Sequence, residues 1–192
     1  MIDKKDFKKI IKELEKFDER REKLIKESRK LLKFSKRLIY ALNRGNDKEI
    51  KILLKNIKNV KDKIDNLVKK DIALRFEGSY SDAMQEYCEA MCYYSFIKDN
   101  RIPKISELKV KVEDYLCGLC DLTGELERRA VVSATKNNLK EVEKIKKVID
   151  EIYACFLELN LRNGLLRRKF DSIKWNLKKV EEIFYDLKLR KE

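Results

Sequence analysis

The sequence predicts an all-α protein, a bundle of about six or seven long helices. Charged residues make up 42% of the 192 residues and hydrophobic residues 43%, a balance typical of long helices with one solvated face. Only 5 glycines and 1 proline are present, although these residues normally punctuate strands and turns. The apolar residues also recur at intervals of three and four, which is the period of an amphipathic helix.

Residues 1–73 predict a basic helical hairpin. One apolar stripe runs through residues 7–42 and a second through residues 50–67, each at helical spacing. Residues 44–47 (RGND) interrupt the pattern, as a turn between antiparallel helices does. We therefore expect a first helix of ~60 Å that ends near Asn43, followed by a second helix that runs back along it.

Residues 74–192 predict the remaining helices, and we expect 1–192 to form a single domain. Ser81 or Asp82 is a candidate cap for a helix that ends near Asp99. Gly118 and Gly124 lie inside a later helix, where each costs about 1 kcal/mol relative to alanine, so we expect close helix packing there. After a short stretch that begins at Ser106, the expected helices are residues 110–135, 139–161 and 165–189.

The charge is distributed unevenly along the chain. Residues 1–70 carry 24 basic and 12 acidic side chains, residues 71–160 carry 13 and 17, and residues 161–192 carry 10 and 5. A net charge of +13 favours polyanionic partners, and an acidic middle segment suits bound cations. Charges also solvate long helices, and charge alone favours that simpler interpretation.

Several classes of protein are excluded or disfavoured. The chain has no histidine, which excludes Ser-His-Asp and Cys-His nucleophiles and His-ligated zinc. No apolar run approaches the ~18–20 residues of a membrane span, and the N-terminus lacks the apolar core of a signal peptide. We therefore expect a cytoplasmic protein without a membrane partner, whose 5 cysteines are reduced.

Two acidic pairs are the candidate chemical groups. Glu86 and Glu89 are three residues apart, and Asp121 and Glu125 are four apart, so each pair occupies one helix face. Like charges at that spacing repel, and Mg²⁺ or Mn²⁺ would compensate them while polarising a phosphodiester and activating water. Acidic pairs are also common in a chain this charged, so the spacing alone leaves the metal site open.

Three separated segments resemble the translin family. Residues 85–90 (QEYCEA) with 96–98 (FIK) are similar to the glutamate motif of translin-associated factor X, the family's catalytic branch. Residues 112–126 (VEDYLCGLCDLTGEL) are similar to that branch's second acidic motif. Residues 166–175 (LRRKFDSIKW) and those that follow look more like translin itself. The resemblance covers about residues 75–190, whereas the hairpin agrees only in its helical pattern.

The resemblance implies a translin-like helical fold and a nuclease. Carboxylates matching Glu86, Glu89, Asp121 and Glu125 bind Mg²⁺ in that family and cut single-stranded RNA inside a hollow, eight-subunit barrel. It therefore implies a Mg²⁺- or Mn²⁺-dependent endoribonuclease that assembles as a homo-octamer. The alternatives are a non-catalytic translin-like oligomer that holds RNA or single-stranded DNA, and a structural scaffold protein.

Basic residues are the candidate RNA contacts. Arg128 lies one turn from Glu125 and is the first candidate for a phosphate clamp, although an ion pair with Glu125 would also explain it. Arg129, Arg75 and Lys111 are further candidates for backbone contacts. Residues 167–169 and 178–179 could line an RNA surface or solvate the last helix, and we favour solvation or subunit contacts.

The cysteines admit two interpretations. Cys88, Cys92, Cys117 and Cys120 form two pairs at helical spacing, which would allow a four-thiolate zinc site. Because structural zinc usually takes thiolates from turns, we expect small buried hydrophobic residues instead. Cys155 is expected in the core. Tyr87 and Tyr93 would stack on bases or, more commonly for aromatic residues on helices, lie in the core.

Overall fold

The computed structural model describes residues 2–189. Arg190, the last residue of the segment that resembles the translin family, lies outside this range. Within it the fold is all-α, with no strand, which confirms the predicted class. The α-helices are α1 (Lys4–Arg44), α2 (Asp47–Lys70), α3 (Gly78–Asp99), α4 (Ile105–Leu108), α5 (Val112–Thr135), α6 (Leu139–Leu157) and α7 (Leu165–Leu189), and a 3-10 helix (Ile72–Phe76) precedes α3.

The predicted hairpin is confirmed. Gly45 ends α1 in the left-handed region at φ 66°, where its N–H donates to the carbonyls of Ala41 and Leu42. Asn46 then caps α2, since its side chain accepts from the backbone N–H of Glu49. Glycine followed by asparagine therefore supplies both the end of one helix and the start of the next.

Two predicted helix ends are wrong. α3 begins at Gly78 and not after Ser81 or Asp82, because the Ser81 hydroxyl donates to Asp114 of α5 instead of capping its own helix. α6 ends at Leu157 and not near residue 161, because the chain turns there and the Leu159 N–H donates to the Phe156 carbonyl. The boundary expected at residues 73–74 falls inside the 3-10 helix.

The helices pack in an order that brings distant segments together. α1 lies against both α2 and α3, α3 lies against α5, and α5 also contacts α6 and α7. One continuous hydrophobic core extends from Leu24 of α1 to Leu187 of α7. The middle of α3 and α5 is therefore flanked by α1 on one side and α7 on the other.

The first four turns of α1 extend beyond the bundle. α1 has 41 residues and α2 has 24, so at 1.5 Å per residue α1 is longer by roughly 25 Å. Phe7, Ile10 and Leu14 consequently remain 51%, 44% and 59% exposed. In the part of the chain that the structure describes, none of the helices combines the length and the hydropathy needed to span a lipid bilayer.

A candidate carboxylate site between α1, α3, α5 and α7

The structure brings the two acidic pairs together. Glu86 and Glu89 of α3 line two adjoining clefts, of about 300 and 400 Å³. Glu125 of α5 lines the first cleft and Asp121 of α5 lines the second. The four carboxylates therefore face a common concave region, bounded by α1 on one side and by α7 on the other. We call this region, which comprises both clefts, the acidic cleft.

Gly118 explains why the two pairs meet. A Cβ atom on Gly118 would lie 2.5 Å from the Cβ of Cys88 and 2.9 Å from the Gln85 carbonyl oxygen, so the backbones of α3 and α5 touch here. This contact includes the backbone nitrogen of Glu89 and lies one turn from Asp121. A Cβ on Gly124 would meet only the Asn176 amide at 3.8 Å, an ordinary contact, so close packing accounts for Gly118 alone.

Polar contacts at the start of α5 hold the same two helices together. Asp114 is buried and accepts a hydrogen bond from the Ser81 hydroxyl. The Ser81 oxygen in turn accepts a hydrogen bond from the Gln85 amide at 3.2 Å. Burial raises the pKa of Asp114, and the hydrogen bond from Ser81 opposes that change.

Lys111 and Arg75 lie at this end of α5, away from the four carboxylates. The Lys111 ammonium donates to the Arg75 carbonyl oxygen and lies 5.2 Å from the ring centroid of Phe76 and 5.4 Å from that of Tyr80. The side chain of Lys111 is thus used in joining the 3-10 helix to α5. A role for these two residues in RNA contacts stays a prediction.

Three basic side chains surround the acidic cleft. The Lys36 ammonium of α1 lies 3.2 Å from a carboxylate oxygen of Glu86, and the Lys169 ammonium of α7 pairs with Asp121. The Arg128 guanidinium lies 3.9 Å from Glu125 and is largely exposed, as expected for a residue at the cleft edge.

Sequence reasoning missed Lys36 and assigned Lys169 to solvation or subunit contact. Lys36 is one of many lysines along α1, so nothing in its neighbourhood distinguishes it. Lys169 belongs to a basic run at the start of α7, and only the packing of α7 on α5 reveals its partner.

Glu89 is the most deeply buried carboxylate of the site. Glu89 is 8% exposed, and between residues 2 and 189 it has no ion-pair partner. Burial first, and then the negative charges of Glu86, Asp121 and Glu125, raise its pKa to about 8. Burial also raises the pKa of Glu86, against the opposing effect of Lys36. Three basic side chains stand beside four carboxylates, so the cleft disfavours a fourth negative charge and Glu89 retains its proton near neutral pH.

A hydrogen-bonded chain supports Glu125 from behind. The hydroxyl of Tyr93, which is fully buried in α3, donates to the Asn43 side-chain carbonyl, and the Asn43 amide donates to Glu125 at 3.3 Å. Arg129 lies beside the Tyr93 hydroxyl, and its guanidinium donates to Glu141 of α6 at 2.7 Å. Tyr93 is thus a core residue and cannot stack on a base, while Arg129 as an RNA contact stays a prediction.

The donor set fits a hard divalent cation, although the side chains do not yet converge on one point. Within residues 2–189 no three Cys, Asp or Glu side chains stand close enough to share a metal ion. Glu86 and Asp121 are each paired with a lysine, Lys36 of α1 and Lys169 of α7. Four carboxylates around one concave region, one of them without a basic partner in the described chain, nevertheless offer the oxygen ligands that Mg²⁺ and Mn²⁺ prefer.

The sequence model of the Translin family matches residues 19–191. The chain belongs to the translin family. A relative from Methanocaldococcus jannaschii, an uncharacterized protein, is 35% identical over 80% of this chain and 71% of its own length. Animal relatives match shorter segments of the chain. They include proteins named translin and translin-associated protein X.

Human translin is 43% identical over 41% of this chain and 35% of its own length. Translin-associated protein X of Pongo abelii is 26% identical over 60% of this chain and 51% of its own length. The chain thus spans about a third of the translins it matches and about half of the second protein. Both branches of the translin family share sequence with it.

Solved structures agree with the translin-family fold. The structure titled apo-NeC3PO has a TM-score of 0.86 at 29% identity, with 97% of this chain and 98% of that chain covered. AfC3PO has a TM-score of 0.85 at 23% identity, with 96% and 98% covered. A further structure is a complex of AfC3PO with duplex RNA, with a TM-score of 0.79.

The cysteines of this translin-family chain behave as small buried residues at four of five positions. Cys88, Cys92, Cys117 and Cys120 are buried, and burial raises the pKa of each thiol. The arrangement of described residues offers no four-thiolate zinc site. Cys155 is exposed, so its expected place in the core is wrong. The apolar stripe of α6 passes through Ile152 and Phe156, which leaves Cys155 beside it at the surface.

Proposed function

We propose that this chain is a Mg²⁺- or Mn²⁺-dependent endoribonuclease of the translin-associated factor X type. It acts on single-stranded RNA within a homo-oligomer, for which the family resemblance implies eight subunits. The observation that carries the proposal is the meeting of Glu86, Glu89, Asp121 and Glu125 around one cleft. Glu86, Asp121 and Glu125 repel a negative charge on the buried Glu89, and a bound divalent cation would relieve that repulsion.

The four carboxylates would hold the cation. When bound, such an ion supplies a Lewis acid that polarises the phosphodiester and lowers the pKa of water. The absence of histidine from the chain removes the imidazole pair that metal-free ribonucleases use for proton transfer, so carboxylates are the proton acceptors available here. The Asn43 amide would keep one Glu125 oxygen oriented through the chain that begins at Tyr93.

Basic side chains would position the RNA. Arg128 is exposed at the cleft edge, where its guanidinium suits a phosphate oxygen. A net charge of +13 adds long-range attraction for any polyanion. A protein of this fold, AfC3PO, has been captured with duplex RNA, so duplex and single-stranded RNA both belong in the substrate comparison.

Self-assembly is part of the proposal. The exposed apolar stripe of α1, which includes Phe7, Ile10 and Leu14, is unfavourable in water and suits burial against another subunit. Sedimentation of the purified chain would give the subunit number directly. A chain that stays monomeric at micromolar concentration would contradict this part.

A non-catalytic translin-like oligomer is the second candidate. It is favoured by the 43% identity to human translin and by Lys36 and Lys169, which neutralise two of the four carboxylates. Chelation separates the candidates. We expect labelled single-stranded RNA to be cut with Mn²⁺ and left intact with a chelator, whereas a pure binding protein would hold RNA in both and lose it as salt rises.

A further inference from the structure

Two ammonium groups enter the acidic cleft from opposite sides. Lys36 comes from α1 and contacts Glu86 at 3.2 Å, while Lys169 comes from α7 and pairs with Asp121. The partners lie on different helices, α3 and α5, so each lysine engages one acidic pair. The two lysines supply two positive charges, which equals the charge of one divalent cation.

These ion pairs stabilise the cleft without a metal ion, the Lys169 pair more than the Lys36 pair, since the Lys36 side chain is 60% exposed. Lys169 is 24% exposed and Asp121 is 32% exposed, so the pair is shielded from solvent more than ordinary surface pairs are. Without the lysines, four carboxylates around one cleft would leave uncompensated negative charge next to the buried Glu89. The amines therefore do in the metal-free protein what a cation would do in the loaded one.

The same contacts oppose metal binding. An oxygen that accepts a hydrogen bond from an ammonium group offers less electron density to a cation, and two nearby positive charges repel a third. Each lysine also occupies an oxygen of a carboxylate that a cation would need, and no three acidic groups of the described chain stand within reach of one ion. A cation that gathers the carboxylates must first separate them from the lysines.

We propose that Lys36 and Lys169 are internal counterions that compete with the divalent cation for Glu86 and Asp121. Cation binding releases both ammonium groups, and loss of the cation restores the two ion pairs. The exchange keeps the cleft assembled at low metal concentration and sets its metal affinity. This inference rests on the proposed metal-dependent function.

Mn²⁺ titration of the full chain by calorimetry, without RNA, tests the competition. Lys36→Met and Lys169→Met each remove one competitor, so we expect each to bind Mn²⁺ about five- to tenfold more tightly than the parent. Lys174→Met is the matched control, because Lys174 is exposed on α7, has no ion pair within residues 2–189 and removes the same net charge. Its affinity should stay within about twofold of the parent.

The outcomes distinguish the two proposals. Equal or weaker Mn²⁺ binding by the Lys36 and Lys169 variants, in a parent that binds Mn²⁺, overturns the competition and leaves the nuclease proposal standing. If neither the parent nor any variant binds Mn²⁺, both proposals fail. If Lys174→Met also binds Mn²⁺ more tightly, the increase in affinity comes from the change in net charge, and the competition is overturned.

Chemical labelling of the parent chain gives a second test that needs no variant. An amine-acylating reagent followed by mass spectrometry reports how free each lysine is. Added Mn²⁺ should increase the labelling of Lys36 and Lys169 severalfold and leave Lys174 unchanged, because linkage makes the exchange reciprocal. Labelling of Lys36 and Lys169 that is unchanged or reduced at saturating Mn²⁺ would overturn the proposal.

Discussion

Gly118 of α5 packs directly on Cys88 of α3, so closely that a Cβ on the glycine would lie 2.5 Å from the Cβ of the cysteine. The atoms in the way include the backbone of α3, at Gln85 and Glu89, and backbone cannot rotate aside as a flexible side chain does. The spacing of α3 and α5, and hence of their carboxylates, depends on this contact.

Gly118→Ala should therefore destabilise the protein. Alanine favours a helix by about 1 kcal/mol over glycine, but the overlap with α3 should cost more, giving a net loss of about 1–2 kcal/mol in the free energy of unfolding by urea denaturation. Gly124→Ala is the control, since its Cβ meets only the Asn176 amide at 3.8 Å. Equal stability of the two variants would contradict the close contact.

The hydrogen-bonded chain behind Glu125 should show measurable coupling. Asn43→Ala leaves the buried Tyr93 hydroxyl without its acceptor, at a cost of about 1–3 kcal/mol in the free energy of unfolding. Tyr93→Phe removes the hydroxyl itself. The double variant should lose less stability than the two single losses added together, as expected for residues in direct contact. Simple additivity would argue against the chain.

Glu89 should make the metal-free protein less stable as the pH rises. Its pKa is raised from 4.5 to about 8, so the folded chain holds the proton more tightly than the unfolded chain does. This stabilising contribution is complete below pH 4.5 and is lost as the pH approaches 8.

Urea denaturation across this pH range, with a chelator present, measures the effect. Glu89→Gln carries no titrating proton, so its stability should change less between neutral pH and pH 8 than that of the parent. The same steep decline in both proteins would assign the pH dependence to other groups.

The thiols should divide into one reactive and four protected groups. Cys155 is exposed, whereas Cys88, Cys92, Cys117 and Cys120 are buried. Burial also disfavours their thiolate forms, because it raises their pKa values. A chromogenic disulfide reagent should modify one thiol rapidly in the native protein and all 5 in denaturant. Rapid reaction of a second thiol would contradict the burial pattern. So would a rapid reaction that persists in the Cys155→Ser variant.

Helical periodicity was sufficient to predict the hairpin and most helix positions. The stripe through α2 and the Gly45-Asn46 turn are local features, and local features determine where helices form. The predicted cap at Ser81 failed because that hydroxyl bonds to Asp114, a residue of another helix. The exposed position of Phe7 also depends on where α2 ends, which no property of α1 reveals.

The residues of the candidate site also divide into those that the sequence could predict and those that depend on tertiary packing. Glu86, Glu89, Asp121 and Glu125 could be predicted, because their spacing and the family resemblance both single them out. Lys36 and Lys169 could not, since they approach from α1 and α7 through the packing of those helices on α3 and α5. Lysines are frequent throughout the chain, so the two that matter are identified only by their distances to carboxylates.

The cleavage rate of labelled single-stranded RNA by Glu125→Gln, in saturating Mn²⁺, tests the central claim most directly. The amide keeps the size of the side chain and removes its charge, so folding and oligomer size should match the parent. Loss of one of four ligand charges at the site should slow cleavage by about a hundredfold or more. Asp171→Asn, at an exposed carboxylate on α7 outside the cleft, should cut at the parental rate. Parental cleavage by a folded Glu125→Gln protein would contradict the account.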